Sequence, residues 1–427
     1  MSDTKKKFEQ AIKEASQLPT PPERPDSDHI QAAPRISVQA FCETEASAAS
    51  IKSAAGDRRL AKAHLTVKMG GMAAAVEAYH NAPTPNVIVL ESSGKGDLVP
   101  FLDELSHVCD PGTRVIVVGN EADDVPYREL VRRGVNDYVV GPVSVIDIVR
   151  SICSLFSATE TVTSGRIIAV VGAKGGVGAS TVAHNVAWAI ARNLTLDSVV
   201  IDLDLAFGTA SLDYNQDPLQ GIANAVFQPD RPDSALLDRL LSKCTDHLSL
   251  LAAPATLERV YDFGVNAFDA IFDTLRMTTP CIVLDVPHQW SGWTRRALEG
   301  ADDILIVAEP DLANLRNAKN ILNTLKAARP NDHVPLFCLN QVGMPRRPEI
   351  DKGSFAKTLE SQPVAAIPFD SKLFGTAANN GQMIAEISAN HRVSRMFLDI
   401  ARKLTGHGDI RKPKGSLLSP IKRLIAG

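Results

Sequence analysis

The sequence predicts an α/β protein in two parts, each with a mainly parallel β-sheet. Between residues 35 and about 156, short apolar runs alternate with stretches of helical periodicity, the pattern of parallel strands joined by helices. Further along, a run of β-formers at 167–171 leads into a glycine-rich loop and then into a helix at 180–191. The chain has 427 residues, 44% of them apolar, which suffices for two or three domains of ordinary globular composition.

Composition limits the classes of function. The formal net charge of the chain is −4, and this overall charge does not favour binding to nucleic acid. The six cysteines are scattered without the spacing of metal ligands, and several lie in apolar runs, which favours buried thiols in a reducing compartment. The N-terminus lacks the apolar core of a signal peptide, and no apolar stretch is long enough to span a bilayer. We therefore expect a cytoplasmic protein.

The first part of the chain divides into a tail and a domain. Residues 1–34 are polar and interrupted by prolines, so we predict a disordered tail there. A domain follows at 35–156, and its predicted strands lie at 36–41, 87–90, 114–118 and 137–140, with a further possible strand at 65–67. Helical periodicity lies between the strands at 71–80, 98–109 and 127–133. This alternation predicts a parallel sheet covered by helices on both faces.

The segment RGVNDYVVGP at 133–142 resembles the end of a response-regulator receiver domain, where the motif runs G-x-x-D-Y-[LV]-x-K-P. The resemblance implies a receiver-like, flavodoxin-like domain. A working receiver has an aspartate after its third strand, an acidic pair after its first, and that lysine. Here Glu91 follows the third strand, only Glu43 and Glu45 lie near the acidic pair, and Gly141 replaces the lysine. We interpret the domain as a degenerate receiver used for docking rather than phosphorylation; a plain α/β domain without receiver ancestry is the alternative.

A Ser/Thr-rich linker at 157–165 leads to the second predicted domain, at 166–408. Its first element is the strand, glycine loop and helix noted above. Glycines in such a loop let backbone N–H groups approach a phosphate closely, and the helix that follows presents its positive end to the same place. A glycine-rich turn without a ligand is the alternative. The loop predicts a nucleoside di- or triphosphate as the ligand.

The order of residues in this loop resembles the deviant Walker A motif of the MinD/ParA class of P-loop ATPases, GKGGxGK[ST]. The matching phosphate-binding positions are Lys174, Gly175, Gly176, Val177, Gly178, Ala179, Ser180 and Thr181. The resemblance implies that Lys174 reaches the phosphates of a partner subunit and that Ser180 is a ligand of Mg²⁺. Two positions depart, because Ala173 replaces the first glycine and Ala179 replaces the phosphate-binding lysine. Losing one such charge typically lowers the rate roughly 10²-fold or more, so binding of ATP is better supported than turnover.

Aspartates follow two further apolar strands, at 198–203 and 281–286. In the resembling family, Asp204 matches the residue that orients the attacking water, and Asp202 matches the one near the metal. Asp285 ends the second strand, as a Walker B aspartate does, and would hold Mg²⁺ through water. A polar strand end without catalytic role is the alternative for both.

Two later segments of the resembling family contact adenine. They match Asn340 of an Asn-Gln pair and Pro368 of an Ile-Pro-Phe-Asp segment. An amide can pair with the edge of adenine, so ATP is expected rather than GTP; an ordinary strand cap is the alternative for Asn340. Between and beyond these segments we predict a strand at 304–309, a helix at 311–328, a strand at 334–340, and helices at 378–387 and 393–404.

The last segment, 409–427, changes character. It is basic, and its apolar residues fall on one face of a helix, so it is predicted to be a basic amphipathic tail. Such a tail can lie on an anionic membrane surface, weakly unless a dimer presents two copies. Packing on its own domain or on a partner is the alternative.

A degenerate receiver-like domain followed by KGGVGAST resembles the CpaE/TadZ proteins of Flp (tad, type IVc) pilus assembly. The resemblance covers about 35–405. It implies an ATP- and Mg²⁺-binding homodimer that localises the pilus and secretion machinery, often at a cell pole. A ParA-type partition or positioning ATPase and a nucleotide-independent scaffold are the alternatives; in the scaffold case, Lys174→Ala would leave partner recruitment unchanged.

Overall fold

The computed structural model describes residues 30–80, 82–92, 98–119, 127–157, 165–228, 232–254, 256–257 and 259–406. The tail predicted at 409–427 lies outside the described residues, as do most of the tail predicted at 1–34 and most of the linker predicted at 157–165. The two sheets described below belong to one compact unit that begins at Gln31.

Within the described residues, the first sheet has five parallel strands: β1 (Ser37–Cys42), β2 (His64–Met69), β3 (Val87–Glu91), β4 (Arg114–Gly119) and β5 (Val135–Val140). Their order across the sheet is β2-β1-β3-β4-β5, the order of flavodoxin-like folds. The helices are α1 (Glu45–Ala54), α2 (Gly71–Tyr79), α3 (Leu98–Val108), α4 (Tyr127–Arg132) and α5 (Val145–Ser157). The possible strand at 65–67 is therefore real, and it forms one edge of the sheet.

Helix pairs pack on this sheet. α2 packs against α3, and the apolar side chains of both join one core cluster with Phe41 of β1 and Leu90 of β3. α1 packs against α5, whose side chains are not part of that cluster. The central strand β3 is buried along its whole length, whereas the edge strand β2 is partly exposed. Exposure explains why β2 gave the weakest strand signal in the sequence.

The second sheet is mainly parallel, as predicted. Its strands are β6 (Arg166–Gly172), β7 (Ser198–Asp202), β8 (Ser242–Thr245), β9 (Leu248–Leu251), β10 (Cys281–Val286), β11 (Asp303–Ala308), β12 (Leu336–Val342) and β13 (Ala366–Pro368). They lie in the order β13-β12-β11-β6-β10-β7-β9-β8, and among the described pairs only β8 and β9 are antiparallel. The glycine loop follows β6 in the middle of the sheet, so its neighbours are the ends of β10 and β11.

The helices of the second part are α6 (Ala179–Asn193), α7 (Ala210–Asp213), α8 (Ile222–Val226), α9 (Ser234–Leu240), α10 (Asp269–Thr278), α11 (Gly292–Gly300), α12 (Leu312–Ala328), α13 (Lys352–Leu359), α14 (Ser371–Asn380), α15 (Ile384–Ile387) and α16 (Arg392–Leu404). Alternate residues of β6 enter two core clusters: Ile167 and Ala169 join one with α10 to α13, and Ile168 and Val170 join the other with α6 and α16. No helix in the described part of the chain is long and apolar enough to cross a lipid bilayer.

One predicted helix is wrong. The helix predicted at 378–387 is two helices, α14 and α15, because Gly381 adopts a left-handed φ of 60° that ends α14. The Gln382 N–H then donates to the carbonyl of Ala377, which satisfies an acceptor at the helix end. The strand predicted at 334–340 lies two residues later, at Leu336–Val342.

A buried ion-pair network joins the two sheets. Arg58, in the turn between α1 and β2, places its Nε atom 2.7 Å from Asp332 and its Nη1 atom 3.2 Å from Asp302. The Nη2 atom of Arg59 lies 3.1 Å from the second oxygen of Asp332. Asp302 also accepts the N–H of Ile167, near the start of β6. The network therefore lies at the edge of the second sheet opposite the glycine loop.

Candidate nucleotide-binding site

The glycine loop is a strand-to-helix turn with two left-handed glycines. Gly176 has a φ of +83° and Gly178 a φ of +80°, which residues with a side chain rarely adopt. Gly178 is the N-cap of α6, and its carbonyl accepts the first helical N–H, from Val182. The loop therefore delivers the chain directly to the N-terminus of a fifteen-residue helix, the end that favours an anion.

Side chains from three neighbouring segments hold the carbonyl groups of this loop. The contacts are His288 Nδ1 to Gly172 O (3.1 Å), Asn317 Nδ2 to Ala173 O (2.9 Å), Gln341 Nε2 to Gly176 O (3.1 Å) and Asn340 Nδ2 to Val177 O (2.8 Å). Holding the carbonyls from outside fixes the loop in one shape. A phosphate would thus meet a loop that is already formed, and binding would require little ordering of the backbone.

Lys174 and Ala179 differ in what they offer. Lys174 is exposed. Burial raises the pKa of Asp311, but hydrogen bonds from Asn314 and the positive charge of Lys174 outweigh burial and hold that pKa below its usual value. Ala179 is the first residue of α6, where the resembling family has its phosphate-binding lysine, and it supplies no charge. Ser180 and Thr181 follow in the first turn and are partly buried.

Asp202 and Asp285 lie side by side. They end the adjacent parallel strands β7 and β10 and are register partners, so both carboxylates lie at the same edge of the sheet. Both are buried, Asp202 with only 1% of its surface exposed. Burial, together with the charge of Asp285, raises the pKa of Asp202 to about 7. The Asp202 carboxylate accepts the N–H groups of Asp204 and Ala210, both at 3.1 Å.

Asp204 lies in the turn that follows β7. Its carboxylate accepts the N–H of Phe207 at 3.0 Å, and its carbonyl accepts the N–H of Gly208 at 2.7 Å. Gly208 lies so close to Asp202 that an added Cβ would overlap the carboxylate, so this turn requires glycine there. The structure thus places Asp204 beside the site, and its role in orienting water stays a prediction.

The donor atoms at this edge fit Mg²⁺. Ser180 offers a hydroxyl, and Asp202 and Asp285 offer carboxylates, which are the oxygen ligands that Mg²⁺ prefers. In the described part of the chain, no group of three or more His, Cys, Asp or Glu residues could hold a metal by itself. This donor set is therefore the kind that binds Mg²⁺ together with phosphate oxygens and water.

Sequence reasoning missed the buried residue beneath this site, His184. It lies in α6, one helical turn after Ser180, and is completely buried. Its Nδ1 atom lies 2.7 Å from Asp213 and its Nε2 atom 3.3 Å from Asp285. Burial lowers the pKa of His184, but the hydrogen bonds and charges of Asp213 and Asp285 outweigh it and raise the pKa to about 10. The signal available in the sequence was a histidine at four residues' spacing from Ser180 in an apolar helix.

The residues predicted to contact adenine lie on neighbouring strands. Pro368 ends β13 and is the register partner of Val342, two residues after Asn340 on β12. Asn340 is buried and uses its amide nitrogen on the Val177 carbonyl, and a Cβ at Gly178 would come within 2.5 Å of that nitrogen. Asn340 therefore supports the loop in this structure, and the adenine contact of both residues stays a prediction.

A cavity of about 290 Å³ lies next to the loop. It is bounded by the start of the loop, by the segment after β10 and by helices α11 and α12. Asn317 and His288, which hold the loop carbonyls, belong to its lining, as does the half-exposed Trp290. None of these three residues was singled out from the sequence.

In the first sheet, Glu91 ends β3 where a receiver would have its aspartate. The residue is 7% exposed. Its carboxylate accepts four hydrogen bonds, from the N–H groups of Glu43 and Thr44 and the hydroxyls of Thr44 and Ser47, at 2.7 to 2.9 Å. Burial raises the pKa of Glu91, but these donors outweigh it and hold the pKa below its usual value. The carboxylate is thus fully engaged at the start of α1.

The chain is similar to several known proteins. The family model described as AAA domain matches residues 165–335. The septum site-determining protein MinD of Synechocystis sp. is 26% identical over 275 residues, covering 61% of this chain and 99% of that protein. The structure of a ParA family ATPase from Chlorobium tepidum has a TM-score of 0.50 and 24% identity, covering 55% of this chain and 98% of that structure. The structure of the pilus assembly protein CpaE from Caulobacter crescentus is 43% identical, with a TM-score of 0.28, covering 30% of this chain and 98% of that structure.

Fold and site together define a P-loop protein of the nucleotide-binding α/β class, with its glycine loop at the centre of a mainly parallel sheet. Over its second part, the chain is similar to the MinD/ParA class of P-loop proteins.

Proposed function

We propose that this protein binds ATP with Mg²⁺, forms a homodimer in the ATP-bound state, and in that state localises and helps to assemble the Flp (tad, type IVc) pilus and secretion machinery. One observation carries the proposal. The Lys174-Gly175-Gly176-Val177-Gly178 loop is held in a single shape above the paired carboxylates of Asp202 and Asp285. This arrangement supplies an anion site and a metal site at the same edge of the sheet.

The surface around the loop supports a second copy of the chain as the partner. Lys174 is exposed, so its ammonium group can reach beyond its own subunit. Large apolar residues are also exposed at this edge of the sheet, where each follows a strand: Phe207 after β7, Trp290 after β10 and Leu312 after β11, with Phe207 and Leu312 73% exposed. Apolar area beside a site of this kind favours burial against another protein surface. The dimer would place Lys174 at the phosphates of its partner.

The pilus assignment rests on how the two parts are combined. A sheet of order β2-β1-β3-β4-β5, with a glutamate where a receiver has its aspartate, precedes a loop that reads KGGVGAST. That combination resembles the CpaE/TadZ proteins. The sequence identity of 43% with the matched CpaE protein supports the same assignment. Localisation at the inner face of the membrane or at a cell pole belongs to this proposal, and the basic segment at 409–427 is its candidate for membrane contact.

Turnover is a separate question from binding. Ala179 removes the charge that normally meets the β- and γ-phosphates during transfer, so we propose at most a weak ATPase whose nucleotide acts mainly as a switch. The same alanine favours a second candidate function, a scaffold that binds its partners without nucleotide. The nucleotide switch needs Lys174 at the phosphates, whereas a scaffold without nucleotide does not, so the two candidates respond differently to Lys174→Ala.

A deletion and complementation experiment tests the proposal in cells. The gene is removed from its host and restored as wild type, as Lys174→Ala, or as Lys403→Ala. Lys403 is an exposed lysine in the last turn of α16. The chain after it passes close to Arg166, at the edge of the sheet opposite the glycine loop. Lys403→Ala therefore controls for the loss of one positive charge away from the site. We expect wild type and Lys403→Ala to restore Flp pili and the position of the assembly proteins, and Lys174→Ala to fail. Pili that persist in the deletion strain would contradict the pilus function, and full rescue by Lys174→Ala would favour the scaffold.

A further inference from the structure

His184 joins two carboxylates that lie far apart in the sequence. One is Asp285 at the end of β10, and the other is Asp213 at the end of α7. Since a carboxylate accepts, His184 Nδ1 can donate a hydrogen bond to Asp213 at 2.7 Å, and Nε2 faces Asp285 at 3.3 Å. A completely buried ring between two carboxylates restricts the orientation of both.

The helix α7 is held at both of its ends by the residues of the metal edge. At its start, the N–H of Ala210 donates to Asp202, and at its end Asp213 contacts His184. The hydroxyl of Tyr214 then donates to the carbonyl of His184 at 2.8 Å, and the two rings lie 5.4 Å apart. The segment from Asp202 to Tyr214 is therefore held at two points. Its start is bonded to the Asp202 carboxylate, and its end contacts His184.

The contact between His184 and Asp285 is close but not aligned. The two atoms are 3.3 Å apart, yet His184 Nε2 makes no aligned hydrogen bond among the described residues and is shielded from solvent. A buried nitrogen this close favours one orientation of the Asp285 carboxylate, because a buried polar atom without a partner costs free energy. Residues behind metal ligands act in this way, and their loss typically lowers metal affinity 10- to 100-fold.

We propose that His184 is a positioning residue for Mg²⁺ at this site: it holds the Asp285 carboxylate in place for the metal and connects it to α7 through Asp213. The inference rests on the proposed nucleotide-binding function and deepens it. Metal binding at Asp285 would then be transmitted to α7 and to Leu212 on its surface, which is 67% exposed. His184 touches neither nucleotide nor metal in this account.

Two amide substitutions separate the two contacts of His184. The amide nitrogen of asparagine falls near the position of Nδ1, and that of glutamine near the position of Nε2. His184→Asn therefore keeps a donor for Asp213 and loses the one for Asp285, whereas His184→Gln keeps the donor for Asp285. Ile190→Ala, at another completely buried position of α6, is the control for destabilising the helix without touching a carboxylate.

The measurement is the affinity of the full chain for a fluorescent, non-hydrolysable ATP analogue, once in excess Mg²⁺ and once in EDTA. The ratio of the two affinities isolates the contribution of the metal, which a loss of general stability does not change. We expect His184→Asn to reduce this ratio about tenfold or more. His184→Gln should retain most of it, and Ile190→Ala should leave it unchanged while lowering the melting temperature.

An unchanged ratio in His184→Asn, or an equal loss in both histidine variants, would overturn the proposal. If the histidine variants do not fold, Asp213→Ala removes the other end of the bridge from a partly exposed position, and a ratio equal to that of wild type would overturn the link to α7. Wild-type protein that binds no analogue with or without Mg²⁺ would instead refute the proposed function, and this inference with it.

Discussion

Thr44 holds both oxygens of the Glu91 carboxylate. Its N–H donates to Oε2 at 2.9 Å and its hydroxyl donates to Oε1 at 2.7 Å. Thr44 is also the N-cap of α1, so one residue both starts that helix and donates to the ionised carboxylate at the end of β3. The place where a receiver would accept a phosphoryl group is thus filled by an internal bond network. This is the physical basis for expecting docking rather than phosphorylation from the first sheet.

The first prediction concerns Glu91→Gln. An amide can accept at only one of its two ends, so donors among Glu43, Thr44 and Ser47 lose their acceptor, and we expect a loss of about 2 kcal/mol in the free energy of unfolding at pH 7. Because the folded-state pKa of Glu91 is lowered, its stabilising contribution is complete above its ordinary pKa of 4.5 and is lost as the pH falls through the lowered value. The wild type should therefore lose stability below about pH 4.5, and the variant should lose less.

Urea denaturation of both proteins at pH 7 and at pH 4 measures this difference. Hydrogen exchange of the β1 and β3 amides assigns it to the first sheet. Equal stability of the two proteins at pH 7, with the same decline in acid, would show that the Glu91 network contributes nothing.

The second prediction compares a buried and an exposed ion pair between the two sheets. Arg58 contacts Asp302 and Asp332, which are almost completely buried, whereas Lys62 and Asp273 pair at 2.7 Å on the surface. Removing one partner of a buried pair typically costs 3–5 kcal/mol, and since Arg58 is partly exposed we expect about 2 kcal/mol for Arg58→Ala. Lys62→Ala should cost less than about 1 kcal/mol.

Chemical denaturation of the two single variants measures the comparison. A double-mutant cycle of Arg58→Ala with Asp332→Ala then gives the coupling between the two side chains. Losses of the same size for Arg58→Ala and Lys62→Ala would mean that burial of the network does not stabilise the contact between the sheets.

The third prediction concerns Gly178→Ala. Its φ of +80° strains any residue with a side chain by about 1–2 kcal/mol, and the added Cβ would come within 2.5 Å of the Asn340 amide nitrogen that supports the loop. Gly134 has a similar φ of +87° but open space around the added Cβ, so Gly134→Ala controls for the backbone strain alone.

We expect Gly178→Ala to lower the melting temperature more than Gly134→Ala and to weaken binding of the ATP analogue, since the loop loses the Asn340 bond. Thermal melts and analogue titrations of both variants provide the test. If Gly134→Ala and Gly178→Ala behave alike in both measurements, the support of the loop by Asn340 is unimportant.

The fourth prediction concerns the paired carboxylates. Asp202 and Asp285 lie side by side in a buried place, an arrangement that destabilises a protein without a bound metal. Asp202→Asn relieves this repulsion but leaves the N–H of Asp204 or of Ala210 without its acceptor, so we expect the free energy of unfolding in EDTA to rise by less than about 1 kcal/mol. The variant should also abolish the added stability that Mg²⁺ with ATP gives. Asp204→Asn is the control. Asp204 is half-buried, and asparagine at that position can still accept the Phe207 N–H, so this variant should not stabilise the protein.

Thermal denaturation in EDTA and in Mg²⁺ with ATP, for both aspartate variants, checks this expectation. An Asp202→Asn protein that is less stable than wild type in EDTA would show that the carboxylate is held for structural reasons and not for a ligand.

Whether a site residue could be predicted from the sequence depends on how far along the chain its contacts lie. The loop at 174–181 and its flanking strand and helix were predicted because glycine positions and helical periodicity are local. The aspartates at the strand ends were predicted because each follows a local apolar run, in the order along the chain that the resembling family shows after its glycine loop. Asn317, His288 and His184 were missed because each acts on a segment distant in the sequence, and only the order of strands across the sheet makes them neighbours.

The two parts of the chain show the same limit. The short hairpin of β8 and β9 and the helix α1 lack a distinctive period, and tertiary packing decides them. The helix predicted at 378–387 is wrong because the left-handed φ of Gly381 ends α14 there.

The central claim is that ATP drives a dimer through Lys174. Light scattering of the full chain, with nucleotide binding followed by calorimetry on the same sample, measures it most directly. For wild type and Lys403→Ala, the account predicts a molar mass that rises from 45.9 kDa towards twice that value when Mg²⁺ and ATP are added. Lys174→Ala should remain at the mass of one chain. A wild-type mass that stays constant with nucleotide bound, or wild-type protein that binds no nucleotide, would contradict the account.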